Sequence, residues 1–221
     1  MIVLAFDTAT VACSAAVCRN GTVLAQRYVP MARGQSEVLM PMVQDVLAEA
    51  RCAFADLDLL AVTVGPGSFT GIRVGLAAAR GLALARSLPC IGITNLEALA
   101  AGASSDLSAD DIVMAAIDSK RGDIFAQFFD STLQPLATPL AASPEAAAQR
   151  APAGRLVIVG DAAAAMVSAA MALGRDVRLA STRIAADPAI VAALAVSRAT
   201  IGTRMPAPFY IRGADATPQV G

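Results

Sequence analysis

Gly65-Pro66-Gly67-Ser68-Phe69-Thr70-Gly71-Ile72-Arg73-Val74-Gly75 joins an apolar, strand-like run, Leu59 to Val64, to a long Ala/Leu-rich stretch ending near Arg86. Glycines and a proline between a strand and a helix mean a tight turn with exposed backbone N–H groups. Such a place suits either an anion or a closely packed partner. No Gly-Lys-Ser/Thr follows, so the turn is not a Walker A loop, and glycines at 65, 67, 71 and 75 do not spell Gly-x-Gly-x-x-Gly. Gly71 and Gly75 share one helix face, continued by Ala78, Ala79 and Leu82, and a ridge of small residues lets another backbone come close. Helix packing therefore outweighs ligand chemistry here. Arg73 and Arg80 lie on a different face.

Outward from this turn, the periodicities predict a repeated α/β pattern. Ile2–Asp7 reads as a buried strand ending in the polar turn Asp7-Thr8-Ala9-Thr10. Val11–Cys18 and Thr22–Val29 follow, joined by the hairpin signal Asn20-Gly21. A helix is predicted from Ser36, read as its N-cap, to Arg51, with a bend at Pro41. Its apolar residues Val38, Leu39, Met40, Met42, Val43, Val46, Leu47 and Ala50 cover an arc of about 200°, roughly twice what packing on one sheet needs. Either a second lobe covers the remainder or a partner does. Asp56–Val64 is the next strand, Phe69–Arg86 the long helix, Cys90–Thr94 a strand, and Asn95–Ala101 a helix. The order βββ-α-β-α-β-α is that of a ribonuclease-H-like unit, which is repeated in the actin and sugar-kinase ATPase superfamily.

A composition shift near 103–110 places a boundary, giving an N-terminal lobe of residues 1–105 and a smaller lobe of 106–221. The second lobe is read as a degenerate copy of the first. Asp111–Asp118 ends in Asp as Ile2–Asp7 does, Asp123–Asp130 pairs with it, and a third strand is predicted near Leu133–Ala137. Ser143 caps a helix with Pro144 at its first position. Arg155–Val159, Asp161–Leu173, Val177–Leu179 and Pro188–Thr200 complete the order, and the Pro-rich tail is expected to be loosely ordered beyond Arg212.

Composition narrows the chemistry. The chain has 221 residues, net charge −1 and a single lysine among its 17 basic residues, which argues against a nucleic-acid grip by this chain alone. No window resembles a membrane span and the N-terminus lacks a basic leader region, so a cytoplasmic protein is expected. Cys13, Cys18, Cys52 and Cys90 show neither Cys-x-x-Cys nor zinc spacing and read as buried free thiols. The absence of histidine removes Ser-His-Asp triads and every His-containing metal site. A peptidase would have neither a nucleophile–base pair nor a metal. Asp7 and Asp118, each at a strand end, are the remaining pair of carboxylates that could serve an ATP-dependent kinase or hydrolase in an interlobe cleft.

The Gly65–Gly75 stretch resembles the hallmark of the bacterial TsaB family. So do Asp7-Thr8-Ala9-Thr10, Ala116-Ile117-Asp118 with Gly122, and Pro208-Phe209-Tyr210-Ile211-Arg212. The resemblance runs through about residues 1–212. It implies a non-catalytic subunit that pairs with TsaD and, with TsaE, completes threonylcarbamoyl-adenosine beside the anticodon of tRNA, touching tRNA only through the complex. TsaD-type proteins carry His-x-x-x-His around Leu-Glu-Ala; the matching residues here are Asn95 and Leu99, so the resemblance implies no metal site and no cofactor beyond a nucleotide at the complex interface. It further implies that the two helices form the surface for TsaD, or for a homodimer in its absence: Val38, Leu39, Met42, Val43 and Val46 on the first, Gly71, Ile72, Val74, Gly75, Ala78, Ala79 and Leu82 on the second. Asp7, Thr8, Gly65, Gly67 and Ser68 are the turn residues placed to meet a nucleotide. Gln35 stands where many relatives have His, and Ala214–Pro218 where they have a Lys-rich end.

Overall fold

The computed structural model describes residues 1–199 and 205–212. Its strands are β1 (Ile2–Asp7), β2 (Ala12–Arg19), β3 (Thr22–Pro30), β4 (Leu59–Thr63), β5 (Cys90–Ile93), β6 (Asp111–Asp118), β7 (Ile124–Phe129), β8 (Leu140–Ala142), β9 (Arg155–Val159) and β10 (Val177–Leu179). Its helices are α1 (Gln35–Glu49), α2 (Phe69–Arg86), α3 (Asn95–Gly102), α4 (Pro144–Gln149), α5 (Ala163–Ala172) and α6 (Pro188–Arg198). They build two five-stranded sheets, ordered β3-β2-β1-β4-β5 and β8-β7-β6-β9-β10. The two orders are the same winding, an antiparallel meander followed by parallel additions, so the predicted duplication is present in the topology.

Alternation along each strand divides the core into layers. Leu4 and Phe6 of β1 face α1 and α2, with Leu60 and Val62 of β4 beside them. Val3 and Ala5 point to the other face, where Val191, Ala192 and Ala195 of α6 cover them. On the second sheet Met114, Ala116 and Ile158 face α4 and α5. Val113, Ala115 and Val157 meet Leu96, Leu99 and Ala100 of α3. Each half thus sends its last helix to the other half's sheet. The division at 105/106 read from sequence falls between the strands of the two sheets, and α6, which follows it, packs on the first sheet. Arg198 then ties α6 to α3 through Glu97, 2.8 Å away.

Local chemistry accounts for the other departures. α1 starts at Gln35, one residue before the predicted cap, because Gly34 takes the left-handed conformation (φ 92°) and is the N-cap; Ser36 is exposed in the first turn. β4 starts at Leu59 rather than Asp56, since Phe54–Asp56 winds into a short 3₁₀ turn with the Asp56 carboxylate accepting from the Ala53 amide at 2.8 Å. The third strand of the second sheet is Leu140–Ala142, not Leu133–Ala137. Asp130 accepts from the amides of Thr132 and Gln134, both at 2.9 Å, and holds that earlier segment in a turn. α2 spans Phe69–Arg86 as predicted, and α6 is capped by Asp187 with Pro188 at its first position. Among the described residues no helix is long and apolar enough to cross a membrane. The tail beyond Arg212, predicted as loosely ordered, lies outside the described residues, as do Ala214–Pro218.

Candidate functional site

The turn after β1 and the turn after β4 meet, and Asp7 is where they are joined. Its carboxylate is fully buried. One oxygen accepts from the Ala9 amide at 3.0 Å, the Thr63 hydroxyl at 2.5 Å and the Asn95 side-chain amide at 2.9 Å; the other accepts from the Thr10 hydroxyl at 2.6 Å. Three donors crowd one oxygen and a fourth meets the other. Asn95 extends the network: its side-chain oxygen accepts from Gly65 N–H at 3.0 Å, and its own N–H donates to Gly65 C=O at 2.8 Å. Asp7 and Asn95 therefore lock the ends of β1, β4 and β5 together. Sequence reasoning missed this use of Asn95. The capping pair one residue earlier, Thr94 with Glu97, placed it at a helix start and was the available signal.

The glycine ridge of α2 faces this network, not solvent. A Cβ on Gly71 would run into the Thr8 carbonyl oxygen, one on Gly67 into the Ala9 carbonyl oxygen, and one on Gly75 would stand 2.7 Å from the Thr8 hydroxyl. Ser68 N–H donates to Ala9 C=O at 2.7 Å, and the Thr8 hydroxyl donates to Gly71 C=O at 2.7 Å. The close partner anticipated from the small residues is the chain's own Thr8–Ala9 turn. Gly71, Ile72, Gly75 and Ala79 are buried in this way, as are Leu39, Met42, Val43 and Val46 of α1. These eight predicted interface positions are core. Of the remaining four, Val38, Val74, Ala78 and Leu82 are half-buried along the outer margin of that core. The surface α2 presents is a stripe at helical spacing, Arg73, Ala77, Arg80, Gly81 and Leu84, with Leu84 83% exposed; Met40 and Pro41 are exposed on α1. The wide apolar arc of α1 is mostly covered by its own sheet and by α2.

The second sheet repeats the geometry with different chemistry. Gly160 (φ 113°) lies against the Ala116 carbonyl as Gly71 lies against Thr8. Asp118, the counterpart of Asp7, is half-buried and paired with Lys120 at 2.9 Å, while Lys120 also reaches Asp161 at 3.5 Å. Burial pushes the Asp118 carboxyl up, and the hydrogen bonds from Lys120 outweigh it and hold the group below its ordinary value. Burial raises Asp161, whose side chain is 10% exposed. The two aspartates predicted as a matched pair therefore differ: one is a fully bonded structural carboxylate, the other one side of an ion pair. Among the described residues no group of three metal-ligating side chains converges. All four cysteines are buried and free, and burial raises Cys13 and Cys18 to about 11 and Cys90 to about 12, far from a reactive thiolate at neutral pH.

Met205–Arg212 lies across this end of the molecule. Phe209 N–H donates to Val64 C=O at 2.8 Å, the Arg80 guanidinium donates to Pro206 C=O at 3.0 Å, and Arg212 pairs with Asp123 at the start of β7. Tyr210 stacks on Phe69, ring centroids 5.6 Å apart, with the Arg73 guanidinium 3.7 Å from the centre of the Phe69 ring.

Two like-wound sheets, exchanged third helices and turns meeting at the strand ends define a protein of the two-lobed actin/sugar-kinase-like ATPase fold. Component A of (R)-2-hydroxyglutaryl-CoA dehydratase from Acidaminococcus fermentans superposes with a TM-score of 0.56 over 88% of this chain and 97% of its own, at 12% identity, a likeness of fold alone. YeaZ from Pseudomonas aeruginosa is much nearer, with a TM-score of 0.81 and 26% identity over 95% of this chain and 99% of that one. The family model described as TsaD: tRNA N6-adenosine threonylcarbamoyltransferase matches residues 29–197, and the chain belongs to that family, within its TsaB group. It is 43% identical over 125 residues to the tRNA threonylcarbamoyladenosine biosynthesis protein TsaB of Escherichia coli, covering 57% of this chain and 53% of that protein. For the protein of the same name in Haemophilus influenzae, the figures are 38% over 130 residues, 57% and 52%. The alignments span about half the length of these curated relatives.

Proposed function

We propose that this chain is a non-catalytic docking subunit in the biosynthesis of threonylcarbamoyladenosine in tRNA, working in the cytoplasm. In this reading it binds TsaD through the outer faces of α1 and α2, holds it in its working conformation, and completes the surface that TsaE engages. Without TsaD the same surface pairs two copies of the chain, and tRNA is met only through the complex. One observation carries the reading. Asn95 and Leu99, standing where TsaD-type proteins have their metal-binding histidines, are here both buried, Asn95 bonded between Asp7 and Gly65 and Leu99 packed against the second sheet. What would be a ligand set is a structural seam, in which the buried Asp7 carboxylate takes four donors from within the chain.

The partner-facing residues in this reading are the exposed stripe, Ala77, Gly81 and Leu84, with half-buried Val74, Ala78, Leu82 and Val38 beside them; buried Gly71 and Gly75 support the helix from beneath. Leu84→Glu with Ala77→Glu is expected to abolish the complex with TsaD in size-exclusion chromatography while circular dichroism stays native. Survival of the complex places docking elsewhere. The competing reading, an ATP-dependent kinase or hydrolase, is tested on the isolated chain. ATP turnover that falls with Asp118→Asn would support it, whereas Asp7→Ala is a poor control because it removes a core anchor.

A further inference from the structure

We infer that Pro206–Arg212 is a clasp that fixes the angle between the two sheets, latched at one end by the Phe69–Tyr210 stack and at the other by the Arg212–Asp123 ion pair. The segment touches the first sheet where its parallel strands end: Phe209 N–H is bonded to Val64 at the end of β4, and the Phe209 carbonyl sits where a Cβ of Gly65 would otherwise go. Pro206 packs in the same way where a side chain at Gly92 of β5 would stand. Four residues after the Pro206 carbonyl accepts from Arg80, Tyr210 lies on Phe69 at the first turn of α2. Ile211 then packs against the apolar layer of the second sheet, and Arg212 closes on Asp123, whose other oxygen meets the Ser119 hydroxyl. Five residues of this segment, Pro206, Phe209, Tyr210, Ile211 and Arg212, thus reach both halves through polar and apolar contacts.

The two ends of the clasp differ in kind. The second-sheet end combines a burying side chain with a charge pair whose aspartate side chain is 12% exposed, a setting in which an ion pair is screened little. The first-sheet end adds to the Phe209 and Pro206 hydrogen bonds an exposed stack, Phe69 46% and Tyr210 39% accessible, with Arg73 over the ring. The stack is the clasp's most exposed apolar contact. This assignment is independent of the docking reading, since it concerns contacts within one chain.

Spin labels on Ala85→Cys of α2 and Ala165→Cys of α5, both exposed positions, report the separation of the two lobes; the native thiols are buried and stay unlabelled. The parent chain is expected to give one narrow distance distribution. Tyr210→Ala with Arg212→Ala is expected to shift it to longer separation and broaden it, with far-UV circular dichroism unchanged. Arg212→Asp alone should do part of the same, and Asp123→Arg added to Arg212→Asp should narrow the distribution again by restoring the pair with its charges exchanged. An unchanged distribution in the double alanine variant overturns the clasp, and so does a charge-exchanged chain no narrower than Arg212→Asp.

Discussion

At Gly71 the distance between a helix and a turn is set by one missing carbon. The Thr8 carbonyl occupies the space that a Cβ would need, and backbone on both sides leaves nothing flexible to yield. Gly71→Ala is therefore expected to destabilise by more than about 3 kcal/mol in urea unfolding, the upper range for overpacking a core. Gly81, ten residues on, has open space around it, and Gly81→Ala should raise stability by about 0.5–1 kcal/mol through helix propensity alone. Asp7→Ala would leave the Thr63 hydroxyl and the Asn95 amide buried without their acceptor, at a cost of about 3 kcal/mol or more. Sequence alone marked both positions as special without naming what they touch. Small residues at helical spacing announce a close contact without saying with what, because a helix on a partner and a turn in the same chain make the same demand.

At the scale of elements, strands and helices with strong periodicity were legible. The α2 span, the Asn20-Gly21 hairpin and the Asp187 cap follow from local rules. What was not legible depended on a neighbour, as when the Asp130 turn displaced a strand by seven residues. The α3–α6 link offers a test in pH. Burial pushes the Glu97 carboxyl up, but hydrogen bonds from Arg198 and Thr94 outweigh it and hold the group below its ordinary value of 4.5. The stability this pair contributes is complete above that ordinary value and is lost as pH falls through the depressed folded value. Glu97→Gln should flatten the acid limb of the stability profile in thermal melts between neutral pH and about pH 3.

For the whole molecule, the exchange of third helices has a consequence for how such a chain could arise or be divided. Residues 1–105 made alone would leave Val3, Ala5, Leu59 and Ala61 without α6, and residues 106–212 would leave Val113, Ala115 and Val157 without α3. Each larger side chain so exposed forfeits about 1.5–3 kcal/mol. Neither piece is expected to fold by itself, and co-expressed pieces should reassemble into a native-like heterodimer visible as a single species in native mass spectrometry. A half-length ancestor with this winding would have met the same difficulty and the same remedy. It could have been stable only by lending its last helix to a twin, so that the present molecule is in effect a fused pair of borrowers.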